Sequence, residues 1–86
     1  MQGTRLRGDF DIFHAPNGAY GKNPRVEGRW EIKTPNGYYG GLKEGVWSIV
    51  EDEDGAITVS PSIRVSDAQD REMWHGFLEH GVWRSV

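Results

Sequence analysis

Three histidines have the widest chemical reach in this chain, because a neutral imidazole moves protons near pH 7 and ligates metals. They are His14, His75 and His80. His75 and His80 flank what reads as a hairpin, and His14 lies far upstream, a spacing that gives no metal site. It favours a structural His75, hydrogen-bonded near Ser60 or Ser62, and a solvent-exposed His80 at a turn tip. The densest charge cluster is Glu51-Asp52-Glu53-Asp54-Gly55. Oxygen-rich loops of this kind suit hard cations such as Ca²⁺, but the alternation and flanking helices of an EF-hand are missing. The run reads as a solvated hairpin tip, as a weak calcium site, or as an acidic surface that docks a basic partner or mimics nucleic acid. Ser60 and Ser62 flank Pro61 and could join His75 and a carboxylate in a nucleophilic triad. No nucleophile-elbow pattern accompanies them, and the chain is short for a hydrolase. No catalytic residue, metal or cofactor is therefore assigned.

Four Trp and three Tyr are a second resource. Exposed aromatic faces on a sheet stack on sugars or bases, or anchor a protein partner. Trp30 and Trp47 are assigned to the core. Trp83, Tyr38, Tyr39 and Tyr20, together with Glu51, Asp52, Glu53 and Asp54, form the expected binding surface. Trp83 is expected at an interface, with a homodimer as one use of it.

The elements that must position these residues are short strands. Arg25 to Lys33 alternates, with Val26, Gly28, Trp30 and Ile32 on one face and charged residues on the other, the period of a strand with one wet face. Ala56 to Val65 alternates as well, and Pro61, which cannot donate to a ladder, predicts an edge or a bulge. Asp9 to His14, Met73 to Leu78 and Val82 to Val86 are read as further strands, and Val46 to Val50, apolar except for Ser48, as a central one. Asn17-Gly18, Asn36-Gly37, Asp54-Gly55 and Glu79-His80-Gly81 are hairpin-turn chemistry. The best helical stretch, Ser66 to Glu72, is too short to stand alone. The expected fold is mainly β: an antiparallel meander of five or six short strands, as an open sheet or a small barrel or sandwich, with no long helix. Its expected core is Trp30, Ile32, Val46, Ile57, Val59, Ile63, Val65 and Phe77. The segment Pro16-Asn17-Gly18-Ala19-Tyr20-Gly21 recurs as Pro35-Asn36-Gly37-Tyr38-Tyr39-Gly40. This is either a turn requirement or a repeated ligand-binding turn presenting Tyr20 and Tyr39.

Composition bounds the rest. Eighty-six residues fit one domain, 1–86, with a thin core. The absence of cysteine excludes disulfide scaffolds, thiolate zinc sites and cysteine nucleophiles. A net charge of −3 and a pI of about 5.5 argue against generic nucleic-acid binding. No apolar run approaches the roughly 20 residues of a membrane span, and the first residues lack a signal-peptide core. The expected location is cytoplasmic.

Four segments carry a family resemblance: Gly45-Val46-Trp47, Ile57-Thr58-Val59-Ser60-Pro61-Ser62-Ile63, Trp74-His75-Gly76-Phe77-Leu78 and Gly81-Val82-Trp83. Together they resemble a family of small phage and prophage proteins with a P-T-x-S-P-S-I … C-H-x-F-x-x-x-G signature and no established activity. The resemblance spans residues 44–86. Trp74 stands where the family has Cys, and the later Cys and His residues of many members have no counterpart. It implies a bacteriophage accessory protein acting in an infected bacterial host, and it implies no reaction. Two functions follow from the residues. One is non-enzymatic binding of a host protein through the aromatic and acidic surface. The other is binding of a small ligand, a nucleotide or a sugar, at an oligomer interface. A pocket of roughly 300 Å³ or more with convergent polar groups distinguishes the second.

Overall fold

A computed structural model describes all 86 residues. Its eight strands form two four-stranded sheets. The first sheet has the order β1 (Thr4–Leu6), β2 (Ala19–Lys22), β3 (Arg29–Lys33), β4 (Tyr39–Lys43). The second has the order β5 (Ser48–Glu51), β6 (Ile57–Ser66), β7 (Glu72–Glu79), β8 (Val82–Ser85). The fold is mainly β with no long helix, as the alternation and turn chemistry predict. Each sheet turns one apolar face inward: Tyr20, Trp30, Ile32 and Leu42 from the first meet Ile57, Val59, Ile63, Trp74, Leu78 and Trp83 from the second in one core. No buried side-chain polar atom lacks a hydrogen-bond partner. No helix is long and apolar enough to cross a membrane.

Five features differ from the sequence-based expectation. Asp9 to His14 is not a strand. Asp11 accepts the Phe13 N–H through Oδ1 (2.9 Å) and starts a single 3-10 turn, Ile12–His14, a local bond that competes with a ladder. Because that turn lies between β1 and β2, the two strands run parallel, and Asn17-Gly18 ends a crossover rather than a hairpin. Residues 25–28 belong to the turn before β3, which leaves Val26 exposed. Val46 to Val50 is an edge, not a centre. Trp47 and Ile49 lean on the core while Val46, 63% exposed, and Val50 face outward. Finally, Phe77 is only half-buried: β7 turns Trp74, Gly76 and Leu78 inward, and Phe77 lies instead under the Arg84 guanidinium, 4.4 Å from its ring centre.

Other expectations hold with a physical reason attached. Pro61 sits in a register shift between Val59 and Ile63, which lets β6 pass through the middle of its sheet without needing a Pro61 N–H. His80 and Gly81 close the β7–β8 hairpin with φ of 48° and 76°, the paired positive values of a two-residue turn matched to strand twist. Between Ser66, the end of β6, and Glu72, the start of β7, the chain makes a turn built on Asp67, whose Oδ1 accepts the N–H groups of Gln69 and Arg71. The two sheets are stitched at the chain's beginning: the Met1 ammonium donates to the Trp83 carbonyl (3.0 Å), Trp83 N–H donates to Met1 (2.8 Å), and Gly3 N–H donates to Gly81 (2.7 Å).

Candidate functional site

The expected binding surface does not assemble. Trp83 is 2% exposed. Its indole N–H donates to the Gly18 carbonyl at 2.8 Å, and its ring meets Trp74 edge-to-face at 5.3 Å. It belongs to the core and not to an interface, because β8 turns it inward between the sheets. Tyr20, also 2% exposed, is core too, and burial pushes its phenol up from the usual 10.0. The repeated Asn-Gly turns are therefore not equivalent ligand turns: Tyr20 faces in and Tyr39 faces out.

The acidic run is largely neutralised from within. Glu51 accepts from Arg5 Nη1 at 2.6 Å and lies 3.5 Å from Lys22 Nζ. Asp52 Oδ2 meets His80 Nδ1 at 3.0 Å. Asp54 Oδ1 accepts the Ala56 N–H, and its carbonyl accepts from Arg7. Only the Glu53 side chain has no such partner. Within this run Glu51 finds its basic partners in the first sheet of the same chain, and Asp52 finds His80 in the β7–β8 hairpin.

This contact has a pH signature. The hydrogen bond from Arg5, aided by the charges of Arg5 and Lys22, holds the Glu51 carboxyl below its usual 4.5. The hydrogen bond and charge of Asp52 hold the His80 imidazole above its usual 6.5. A lowered carboxyl gives stability that is full above 4.5 and is lost as the pH falls through its folded-state value. A raised imidazole gives stability that is full below 6.5 and is lost as the pH rises through its folded-state value. Stability contributed by this contact is thus greatest between the two. In an NMR titration, His80 should titrate above 6.5, and Asp52→Asn should bring it back towards that value. An unmoved midpoint would refute the pairing.

The histidines are not brought together. His14 Nδ1 lies 2.6 Å from Asp11 Oδ2. His75 Nε2 lies 2.9 Å from Ser62 Oγ, the structural partnership its sequence position suggests.

The most developed concavity, a groove of about 700 Å³, lies on the outer face of β3 and β4. Alternation sends Arg29, Glu31, Tyr39 and Gly41 to that face. Gly41 makes the floor, because a side chain there would collide with the Arg29 guanidinium. The first wall is the 3-10 turn. It is capped by Asp11, whose carboxyl the hydrogen bond to His14 holds below the usual 3.8, and it is pinned by Lys33 Nζ, which donates to the carbonyls of Phe13 and Ala15 at 2.9 Å each. The second wall is Asn23-Pro24-Arg25. Asn23 Oδ1 accepts the Arg25 and Val26 N–H groups (2.8 and 3.0 Å), while its Nδ2 donates to Glu31 Oε1 (2.8 Å). The same Glu31 oxygen accepts from Arg29 Nε at 3.0 Å. At the rim Phe13 and Tyr39 meet edge-to-face, with ring centres 4.2 Å apart and an interplanar angle of 87°, yet remain 56% and 54% exposed.

Of the expected binding residues, Tyr39 alone lines this groove; Tyr38 is exposed nearby on the chain. Phe13, Arg25 and Arg29 were not singled out by sequence reasoning. One signal for them was available: two consecutive glycines inside a strand, Gly40-Gly41, mark a place where something approaches the backbone closely. Compared with known proteins, the chain matches no family model, no curated protein and no solved structure.

Proposed function

We propose that this protein is a non-enzymatic binding protein, a phage-type accessory protein by its sequence resemblance, that takes a small ligand in the groove between the 3-10 turn and the Asn23–Arg25 loop. One observation carries this reading: an aromatic pair, more than half exposed, stands over a groove of about 700 Å³, within the ~300–1,000 Å³ of small-molecule sites. The groove is also held in shape before any ligand arrives. Glu31 ties one wall to the floor, and Lys33 ties the other to β3. A preformed site spends little binding energy on ordering. The host-protein reading loses Trp83 and Tyr20 to the core and Glu51 to an ion pair.

The test is a thermal-shift screen of the protein against a panel of small metabolites, followed by mass spectrometry of each mixture. A ligand at 100 times its Kd contributes about 2.7 kcal/mol, which in a domain of this size raises Tm by about 10 °C or more. Phe13→Ala with Tyr39→Ala should abolish that shift while leaving the unliganded Tm within a few degrees. A shift that survives the double variant moves the site elsewhere. Conversion of a stabilising compound into a product would overturn binding without turnover.

A further inference from the structure

We propose that the groove's ligand is an aromatic anion, a planar ring carrying a phosphate or carboxylate of the kind found in a nucleoside monophosphate, rather than a neutral sugar; this rests on the small-ligand reading above. Several acceptors in the groove are already engaged, and Glu31 Oε2 is the carboxylate oxygen left without a partner. Asp11 accepts with one oxygen from the Phe13 N–H and with the other meets His14. Glu31 Oε1 accepts from both Asn23 and Arg29. Asn23 Oδ1 accepts two backbone N–H groups.

The donors, by contrast, are free. Arg25 makes no side-chain hydrogen bond or ion pair, and Arg29 uses only Nε, leaving both terminal nitrogens unpartnered. A guanidinium carries five N–H donors and no acceptor. A sugar hydroxyl asks for a donor and an acceptor together, and here the free N–H donors of Arg25 and Arg29 outnumber the one unpartnered carboxylate oxygen, Glu31 Oε2. A phosphate or carboxylate asks only for donors, and Arg meets it with charge-assisted, often bidentate bonds. Glu31 holds Arg29 by Nε, and the guanidinium lies over Gly41 on the groove floor with both terminal nitrogens unpartnered. The exposed Phe13–Tyr39 pair then supplies the apolar surface for the ring, by the stacking that aromatic side chains offer any base.

The test is a ¹H–¹⁵N NMR titration of the intact chain with four probes. Adenosine 5′-monophosphate carries both ring and anion, adenosine the ring alone, ribose 5-phosphate the anion alone, and methyl α-glucoside neither. The expected result is that the monophosphate shifts the amides of Phe13, Arg25, Arg29 and Gly41. Adenosine and ribose 5-phosphate should each bind about tenfold or more weakly than it, and the glucoside should bind weakest. Arg25→Gln, at an exposed position, should weaken the monophosphate and leave adenosine unchanged. Adenosine binding as tightly as its monophosphate would remove the anion from the proposal. Ribose 5-phosphate binding as tightly would remove the ring. The glucoside binding best would overturn the ligand class while keeping the groove as a site. If no probe moves a groove amide, and the metabolite screen finds no groove ligand either, the small-ligand reading falls with it.

Discussion

Replacing Trp83 with alanine is expected to destabilise the domain by about 3–5 kcal/mol, the range for deleting a buried large aromatic. The ring is wedged between the sheets against Trp74, and its loss opens a cavity that neither sheet can close. The Gly18 carbonyl also loses its indole donor. Small domains hold only about 5–15 kcal/mol in all, so Tm should fall by about 15 °C or more. Trp83→Phe should recover most of this, keeping an edge-to-face contact and losing about 1 kcal/mol for the hydrogen bond. Denaturant unfolding of the three proteins measures both quantities. A Trp83→Ala variant with an unchanged midpoint would return Trp83 to the surface.

The second large effect is expected from one added methyl group. Gly76 lies mid-strand in β7, paired to Ile63 on one side and Ser85 on the other. A Cβ there would run into the Arg84 carbonyl and the far edge of the Trp74 ring. Neither gives way easily, because one is backbone in the neighbouring strand and the other is core. Gly76→Ala should therefore cost about 3 kcal/mol, the upper end of ordinary overpacking. Serine should fare no better. Gly45→Ala is the control, since nothing lies within 4 Å of its added Cβ and only its φ of 95° opposes the change. It should cost about 1 kcal/mol. Equal losses at the two positions in denaturant unfolding would mean that the sheets can spread to admit a methyl group.

These two positions also mark how far the sequence could be read. Where a strand has bulky residues on alternate positions the inward face was legible, as with Trp30 and Ile32 in β3 or Ile57, Val59 and Ile63 in β6. In β7 the inward row is Trp74, Gly76, Leu78. The glycine leaves a gap in the pattern, and Phe77 beside it pulls the reading onto the wrong face. In and just before β5, apolar Val46 and Val50 suggest a buried strand, yet an edge has one side to hide and spends it on Trp47 and Ile49. The groove was the least legible feature. Its walls come from residues 10–13 and 23–25 and its floor from β3 and β4, segments brought together by the crossover between β1 and β2 and by the antiparallel pairing of β2 with β3. Similarly, the acidic run invites an external cation because Arg5 and Lys22 lie far from it in sequence.

The stitching of Met1 and Gly3 to β8 sets a timetable for the chain's own synthesis. The Met1–Trp83 contact spans 82 positions, and a ribosome adding about 5–20 residues per second delivers its second half roughly 4–16 s after its first. The last strand of the first sheet ends at Lys43, about half-way through that interval, and until Trp83 follows its place in the core is unfilled. The strands of the first sheet can pair before the second sheet is made, but the core the two sheets share cannot close. The core is complete only when β8 brings Trp83 between the sheets and meets Met1.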